Sequence, residues 1–338
     1  MTFSLRTEKM DHGKTEFGAV MLSEDNLSCG SSGGDEDLST VMVAGGYNNI
    51  AQNQLSTAEV VRLSEGACDT AIANFPVPIM ESVPYNFGDA VWFCGGYGSK
   101  DGGAKVAQNE CRAYTWATGQ WTEGPKMKFL RRRARGIMWN DGTLWVVGGR
   151  NTNNVILDST ETWTQASNWV TDTLRMPWAV VQLTDTTALI IGGVTPDNAQ
   201  GRSNVFLFDK TANTYTEVNP MANPRFRHTC QKIFSTTRGE EVICVGGCPN
   251  SPKSTDIYSV STGVWRAGPL IPDNIYDGKS VAYQNTMLVM GGTDGSGTFY
   301  TKTHEYDVVN QVWATNDAVL SEAKNDFAAI LVDTTKAC

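Results

Sequence analysis

Asp141-Gly142-Thr143-Leu144-Trp145-Val146-Val147-Gly148-Gly149 decides how this chain is read. Asp-Gly is a tight-turn dipeptide, and the apolar run after it has strand length. The glycine pair that ends it suits a backbone that needs positive φ or close approach. The same device recurs before Gly45-Gly46, Gly95-Gly96, Gly192-Gly193, Gly246-Gly247 and Gly291-Gly292. Six doublets at intervals of about 44 to 54 residues have the period of propeller blades, and in register they make a repeat protein.

Composition narrows the class. The chain has 338 residues, 19% of them charged, with 33 glycines and a formal net charge of −9. Many glycines suit many short strands and turns, and the negative balance argues against a nucleic-acid binder, whose affinity rests on basic charge. No apolar run approaches the roughly 20 residues of a membrane-spanning helix. Met1-Thr2-Phe3-Ser4-Leu5-Arg6 lacks the apolar core of a secretory signal.

Residues 1–16 read as an N-terminal segment and 17–338 as one repeat domain. Phe17-Gly18-Ala19-Val20-Met21-Leu22 reads as a strand, and residues 23–40, with Ser31-Ser32-Gly33-Gly34-Asp35-Glu36-Asp37, as a mobile acidic Ser/Gly loop. From Val41 each doublet is followed by a polar loop, a strand with an acidic or aromatic pair, a turn and an aromatic residue. Tyr306 precedes Trp313 by seven, as Tyr258 does Trp265, Tyr114 Trp121, Phe208 Tyr215 and Thr162 Trp169; from Val61 the same step lands on Cys68. An Arg- and Pro- or Met-bearing loop then leads to the next apolar strand. Each repeat thus supplies four strands, a to d, with the glycines closing b and the aromatic on d. A lone four-stranded sheet with two apolar faces cannot bury itself, so such sheets stack around an axis.

This pattern resembles the Kelch repeat from about residue 12 to 332, through the Gly-Gly after an apolar strand, the downstream Glu-Tyr/Phe-like pair, the spaced Trp and the Arg opening strand a. The resemblance implies an all-β, six-bladed propeller of four-stranded antiparallel blades, its ring closed by a terminal strand. Asn325 to Val332 and Phe17 to Leu22 both look like strand a, and the first of these is expected beside Val41–Ala44; the alternative gives that place to Phe17–Leu22. Kelch modules serve as protein-interaction scaffolds, as structural components (actin-associated or extracellular), and as carbohydrate-acting enzymes. The length leaves room only for the propeller, without BTB, BACK or F-box companions.

Eight cysteines include no Cys-x-x-Cys pair. Cys94 with Cys111, and Cys230 with Cys244, fall on neighbouring strands within bridging reach; buried free thiols are the other reading. The compartment stays open: cytoplasmic if Met1 is the native start, extracellular if the disulfides form or the chain is a processed fragment. Asn26-Leu27-Ser28 is a weak sequon hint of secretion.

The residues point away from catalysis. His12, His228 and His304 lack ligand spacing and read as structural. No nucleophile elbow, phosphate loop or galactose-oxidase-like His/Tyr copper set is found, so no cofactor and no metal are expected. Strand alternation puts the b–c and d–a loops on one rim, where Arg132, Arg133, Arg135, Arg150, Arg175, Arg202, Arg225 and Arg227 gather, with Tyr47, Tyr97 and Tyr276. Much acid (Asp89, Asp141, Asp185, Glu240, Glu241) falls on the other rim. Two readings stand open: arginines holding neighbouring carbonyls, or a rim that binds an acidic segment of a protein partner. The sequence specifies neither that partner nor an oligomeric state.

Overall fold

A computed structural model describes residues 40–48, 53–63, 71–99, 103–173, 179–194, 200–249, 252–316, 320 and 323–333. Phe17–Leu22, the loop over 23–39, Cys68 and Arg175 lie outside them. Thr40, placed at the end of that loop by the sequence, already starts a strand.

The described residues are all-β, without helices, and most fall in four-stranded antiparallel meanders, a propeller-like arrangement. The second sheet runs Val83–Phe87, Ala90–Cys94, Cys111–Thr115, Gln120–Glu123. The third runs Arg135–Met138, Leu144–Val147, Ser159–Thr164, Ser167–Thr173, and the fourth Ala179–Gln182, Thr187–Ile191, Val205–Asp209, Thr214–Val218. The fifth is Thr229–Ser235, Gly239–Val245, Thr255–Ser259, Val264–Ala267, and the sixth Lys279–Tyr283, Thr286–Met290, Thr303–Asp307, Val312–Asn316. The first sheet joins the two ends of the domain. Ala328–Val332 pairs with Thr40–Ala44, Met42 opposite Ile330, and Thr40–Ala44 pairs in turn with Ala58–Arg62. It has three strands among the described residues.

The first strands of the sheets pack on one another. Val83–Phe87 meets Arg135–Met138, which meets Ala179–Gln182, and Thr229–Ser235 lies between that strand and Lys279–Tyr283. Ala328–Val332 touches both Lys279–Tyr283 and Val83–Phe87.

The glycine doublets work between sheets. The second glycine of a pair donates its N–H to the carbonyl of the residue four before the next sheet's first strand: Gly46 to Ile79 (2.8 Å), Gly96 to Arg131 (2.8 Å), Gly193 to Arg225 (3.0 Å), Gly247 to Ile275 (2.7 Å) and Gly292 to Lys324 (2.9 Å). At Gly149, with φ of +94°, a Cβ would stand 2.7 Å from the Arg132 carbonyl oxygen. Only a residue without one lets the backbones come so close.

The seven-residue offset is a cross-strand pair. Tyr114 faces Trp121, Tyr258 faces Trp265, Tyr306 faces Trp313 and Phe208 faces Tyr215 across the outer hairpin, with ring centroids 4.7–5.3 Å apart. The third sheet departs from this. A register shift sets Thr162 opposite Val170, so Trp169 sits one place off and is buried. The apolar clusters lie between adjacent sheets, as in Ala179, Leu189 and Ile191 packed with Cys230, Val242 and Cys244.

Candidate interaction face

The loops entering the first strands build one face. Two residues before those strands stand Asp326, Glu81, Arg133, Arg227 and Asp277, each with φ between +53° and +63°. That left-handed turn is rare for residues with a Cβ and lets each loop bond its neighbour. Glu81 N–H donates to the Asp326 carbonyl (2.6 Å), Arg133 N–H to Glu81 (3.2 Å) and Asp277 N–H to Arg227 (3.0 Å).

The side chains on this turn neutralise one another. Buried Glu81 accepts from Arg132 (3.1 Å) and Arg133 (2.5 Å), Arg133 also reaches Asp326 (2.9 Å), and Arg227 Nε holds Asp277 (2.7 Å). Arg133 and Arg227 hold the Asp277 carboxyl below the usual range despite its burial. Asp326 is pushed up to about 6, because burial and the nearby Asp277 and Glu81 outweigh Arg133. The sequence reading that gathered the arginines on one rim and much of the acid on the other therefore needs correcting, since three carboxylates enter the arginine rim. They hold the same loop position as Arg133, two before a first strand, and that alignment is the signal that reveals them. Glu241, assigned to the opposite rim, is buried between Arg238 (3.2 Å) and Arg266 (2.8 Å).

Arg225 is also corrected. It is fully buried and donates to the carbonyls of Gly246 (3.0 Å) and Ser254 (3.2 Å), to Ser254 Oγ (2.7 Å) and to Asp256 (2.5 Å). Arg131 does the same with Gly148 (2.7 Å), Ser159 (2.8 Å) and Glu161 (2.8 Å). Each arginine meets a Ser-Thr-acid triplet, Ser159-Thr160-Glu161 or Ser254-Thr255-Asp256, about 30 residues downstream. For these two positions the carbonyl-holding reading is the right one.

Of the other arginines, Arg135 lines a narrow central cavity with His228 and Lys279 and donates to the Ala134 carbonyl (2.8 Å); burial pushes its pKa down. Arg202 bonds the Gly193 carbonyl through its backbone (2.9 Å). Tyr47 exchanges backbone bonds with Asn325, and Tyr276 lies under Arg227, 5.4 Å from ring centroid to guanidinium.

One sector is different. Arg132 stacks on Tyr97 at 4.4 Å and exchanges two backbone hydrogen bonds with Arg150 (2.9 and 2.8 Å). The Arg150 guanidinium donates to the Asn154 carbonyl (3.0 Å) and meets no carboxylate among the described residues. Burial and the like charges of Arg133 and Arg132 lower its pKa, opposed by Glu81. In the loops that carry Arg132 and Arg150, Phe129 and Leu130 are each 43% exposed and Val155 57% exposed. The Arg132–Arg150–Ile156 bridge ladder brings these loops together. The sequence reading placed Tyr97, Arg132 and Arg150 on this rim but missed the apolar residues, because single exposed hydrophobics carry no periodic pattern.

Buried His304 has its Nδ1 hydrogen-bonded to Thr315 Oγ1 (3.0 Å) and its Nε2 3.5 Å from Asp273 Oδ2. His228 is 3% exposed, and neither of its ring nitrogens has a hydrogen-bond partner. Burial first, then Arg225 and Arg135, push its pKa well down, so the imidazole is neutral. Both cysteine pairs are joined, Cys94 to Cys111 and Cys230 to Cys244, with Cα separations of 4.0 and 4.1 Å.

No family model matches the chain, and no curated protein does. Among solved structures it is similar to that of YjhT, with a TM-score of 0.67 and 15% identity over 81% of this chain and 97% of that one. The likeness is one of fold.

Proposed function

We propose that the chain is a six-bladed Kelch-type propeller, closed by its C-terminal strand, which acts as a non-catalytic interaction module for an acidic–apolar segment of a protein partner. The cyclic order of packing among the first strands supports the closed ring. The binding surface is the sector of Tyr97, Phe129, Leu130, Arg132, Arg150 and Val155, on the b–c/d–a rim but narrower than the whole arginine set. Arg150 carries the reading: a half-buried guanidinium that donates to one carbonyl and meets no carboxylate among the described residues gains most from an incoming one. Exposed Phe129, Leu130 and Val155 bury against an apolar residue beside that acid.

Selection from a displayed random-peptide library tests this. Enriched sequences should carry Asp or Glu next to an apolar residue. Arg150→Ala should weaken their binding about tenfold or more, the range for a hydrogen bond between charged groups. Added salt should slow association. Enrichment of basic sequences, or affinity indifferent to Arg150, would contradict the reading.

A further inference from the structure

His228 immediately precedes the first strand of the fifth sheet, between glycines that let it in. The space where a Gly192 Cβ would be lies 2.9 Å from its Cε1, and a Gly247 Cβ would meet its own Cβ at 2.9 Å. The imidazole so wedged has no hydrogen bond, an expensive state for a buried polar ring. One ring nitrogen and the sulfurs of Cys230 and Cys244 all lie within 4.8 Å of one another. Cys230 follows two residues on, inside that strand, and Cys244 faces it from the next strand. His228 and Cys230 both line the central cavity.

We propose that reduction of the Cys230–Cys244 disulfide turns this corner into a zinc site, with two thiolates and His228 as ligands and the cavity side open for a fourth. The electrons balance simply. A dithiol supplies two electrons and two protons to the S–S bond and becomes a disulfide, whereas a phosphine supplies the electron pair and becomes its oxide, water giving the oxygen and both protons; either leaves two thiols. Zinc then displaces both thiol protons. Two thiolates and an imidazole are a soft donor set, and three protein ligands with one open position is a known zinc arrangement. With Zn–S near 2.3 Å and Zn–N near 2.0 Å, ligand atoms around one zinc stand about 3.5–3.8 Å apart. The ring nitrogen, within 4.8 Å of both sulfurs, has at most about an ångström to close, and the sulfurs, now bonded to each other, move apart to about 3.8 Å once the bond between them is cleaved. Charge agrees as well. Two thiolates cancel the dication, so the nearby Arg225 and Arg135 face a neutral complex. The apolar packing around the sulfurs, with Val181, Leu189 and Val242, keeps out competing oxygen ligands. Cys94–Cys111 provides a control: among the described residues, the His228 group alone gathers three such ligands.

The test reduces the whole protein with a phosphine, removes the reductant under anaerobic conditions and titrates with Co²⁺, then displaces it with Zn²⁺. Near-ultraviolet circular dichroism should persist on reduction, and one Co²⁺ should bind with thiolate charge-transfer and intense tetrahedral d–d bands. Oxidised protein should show neither band. His228→Ala should lower affinity by at least about tenfold, while Cys94→Ser/Cys111→Ser should leave it unchanged. X-ray absorption of the zinc-loaded protein, which needs no variant, should read two sulfurs and at least one nitrogen. Loss of the fold on reduction, absence of the bands, their persistence in His228→Ala with loss in Cys94→Ser/Cys111→Ser, or a shell without sulfur would each overturn the proposal.

Discussion

Arginines on this chain do two different jobs, and burial separates them. Arg131 and Arg225 are fully buried staples whose guanidiniums satisfy carbonyls, a serine and one carboxylate each. Arg131→Ala would leave Glu161 buried without its cation, a loss of about 3–5 kcal/mol. Urea unfolding measures it, and a loss below about 1 kcal/mol would mean the pair contributes little. Arg150→Ala should stay close to wild type in the same assay, since a half-exposed side chain that holds one carbonyl is easily replaced by water. Asp326 supplies a pH signature. Its folded pKa of about 6 lies above its ordinary value of 3.8. The folded state therefore holds the proton more tightly than the unfolded one, and the stability so gained is full below the ordinary value and lost as pH rises through about 6. Asp277, shifted down, acts the other way and only at lower pH. Unfolding free energies of wild type and Asp326→Asn should show the wild type losing ground to the variant between about pH 4 and about pH 7. A constant or widening advantage for wild type would contradict the assignment.

Strands and hairpins were the most legible part of the sequence. The doublets mark the ends of second strands because the close approach of the next loop's carbonyl leaves no room for a Cβ, a demand that only glycine meets. The seven-residue offset marks outer hairpins because their turn fixes which residues face each other. It slips in the third sheet, where a bulge moves Trp169 by one place. The cysteine pairs were legible for the same reason, since register puts Cys94 opposite Cys111 and Cys230 opposite Cys244. The rim was less legible. Whether an arginine there is free or paired depends on Glu81, Asp277 and Asp326, each arriving from a loop about 50 or more residues away in sequence, and no local pattern reports such a meeting. The terminal strand was left between two candidates, because Phe17–Leu22 and Ala328–Val332 have the same apolar pattern. Ala328–Val332 holds the place beside Thr40–Ala44. Deleting residues 328–338 should uncover a buried strand edge, lower the midpoint of thermal unfolding by at least about 5 °C and promote association through the exposed edge. Unchanged melting and a monomeric profile by light scattering would show that another segment fills that place.

At the scale of the molecule, the interaction module proposed here carries a net charge of −9 yet offers Arg150, which meets no carboxylate among the described residues, and on that proposal it chooses its partner by charge as well as by shape. Much of the rim charge among the described residues is paired within the loops, so the proposed specificity rests on a small sector, in keeping with interfaces where a few residues carry most of the energy. That claim is tested most directly by a double-mutant cycle between Arg150 and the carboxylate of a selected peptide, read by calorimetry. Arg150→Ala, the peptide's acid-to-amide change and the two together should give a coupling energy of at least about 1 kcal/mol. A coupling indistinguishable from zero, with the peptide still bound, would contradict the account.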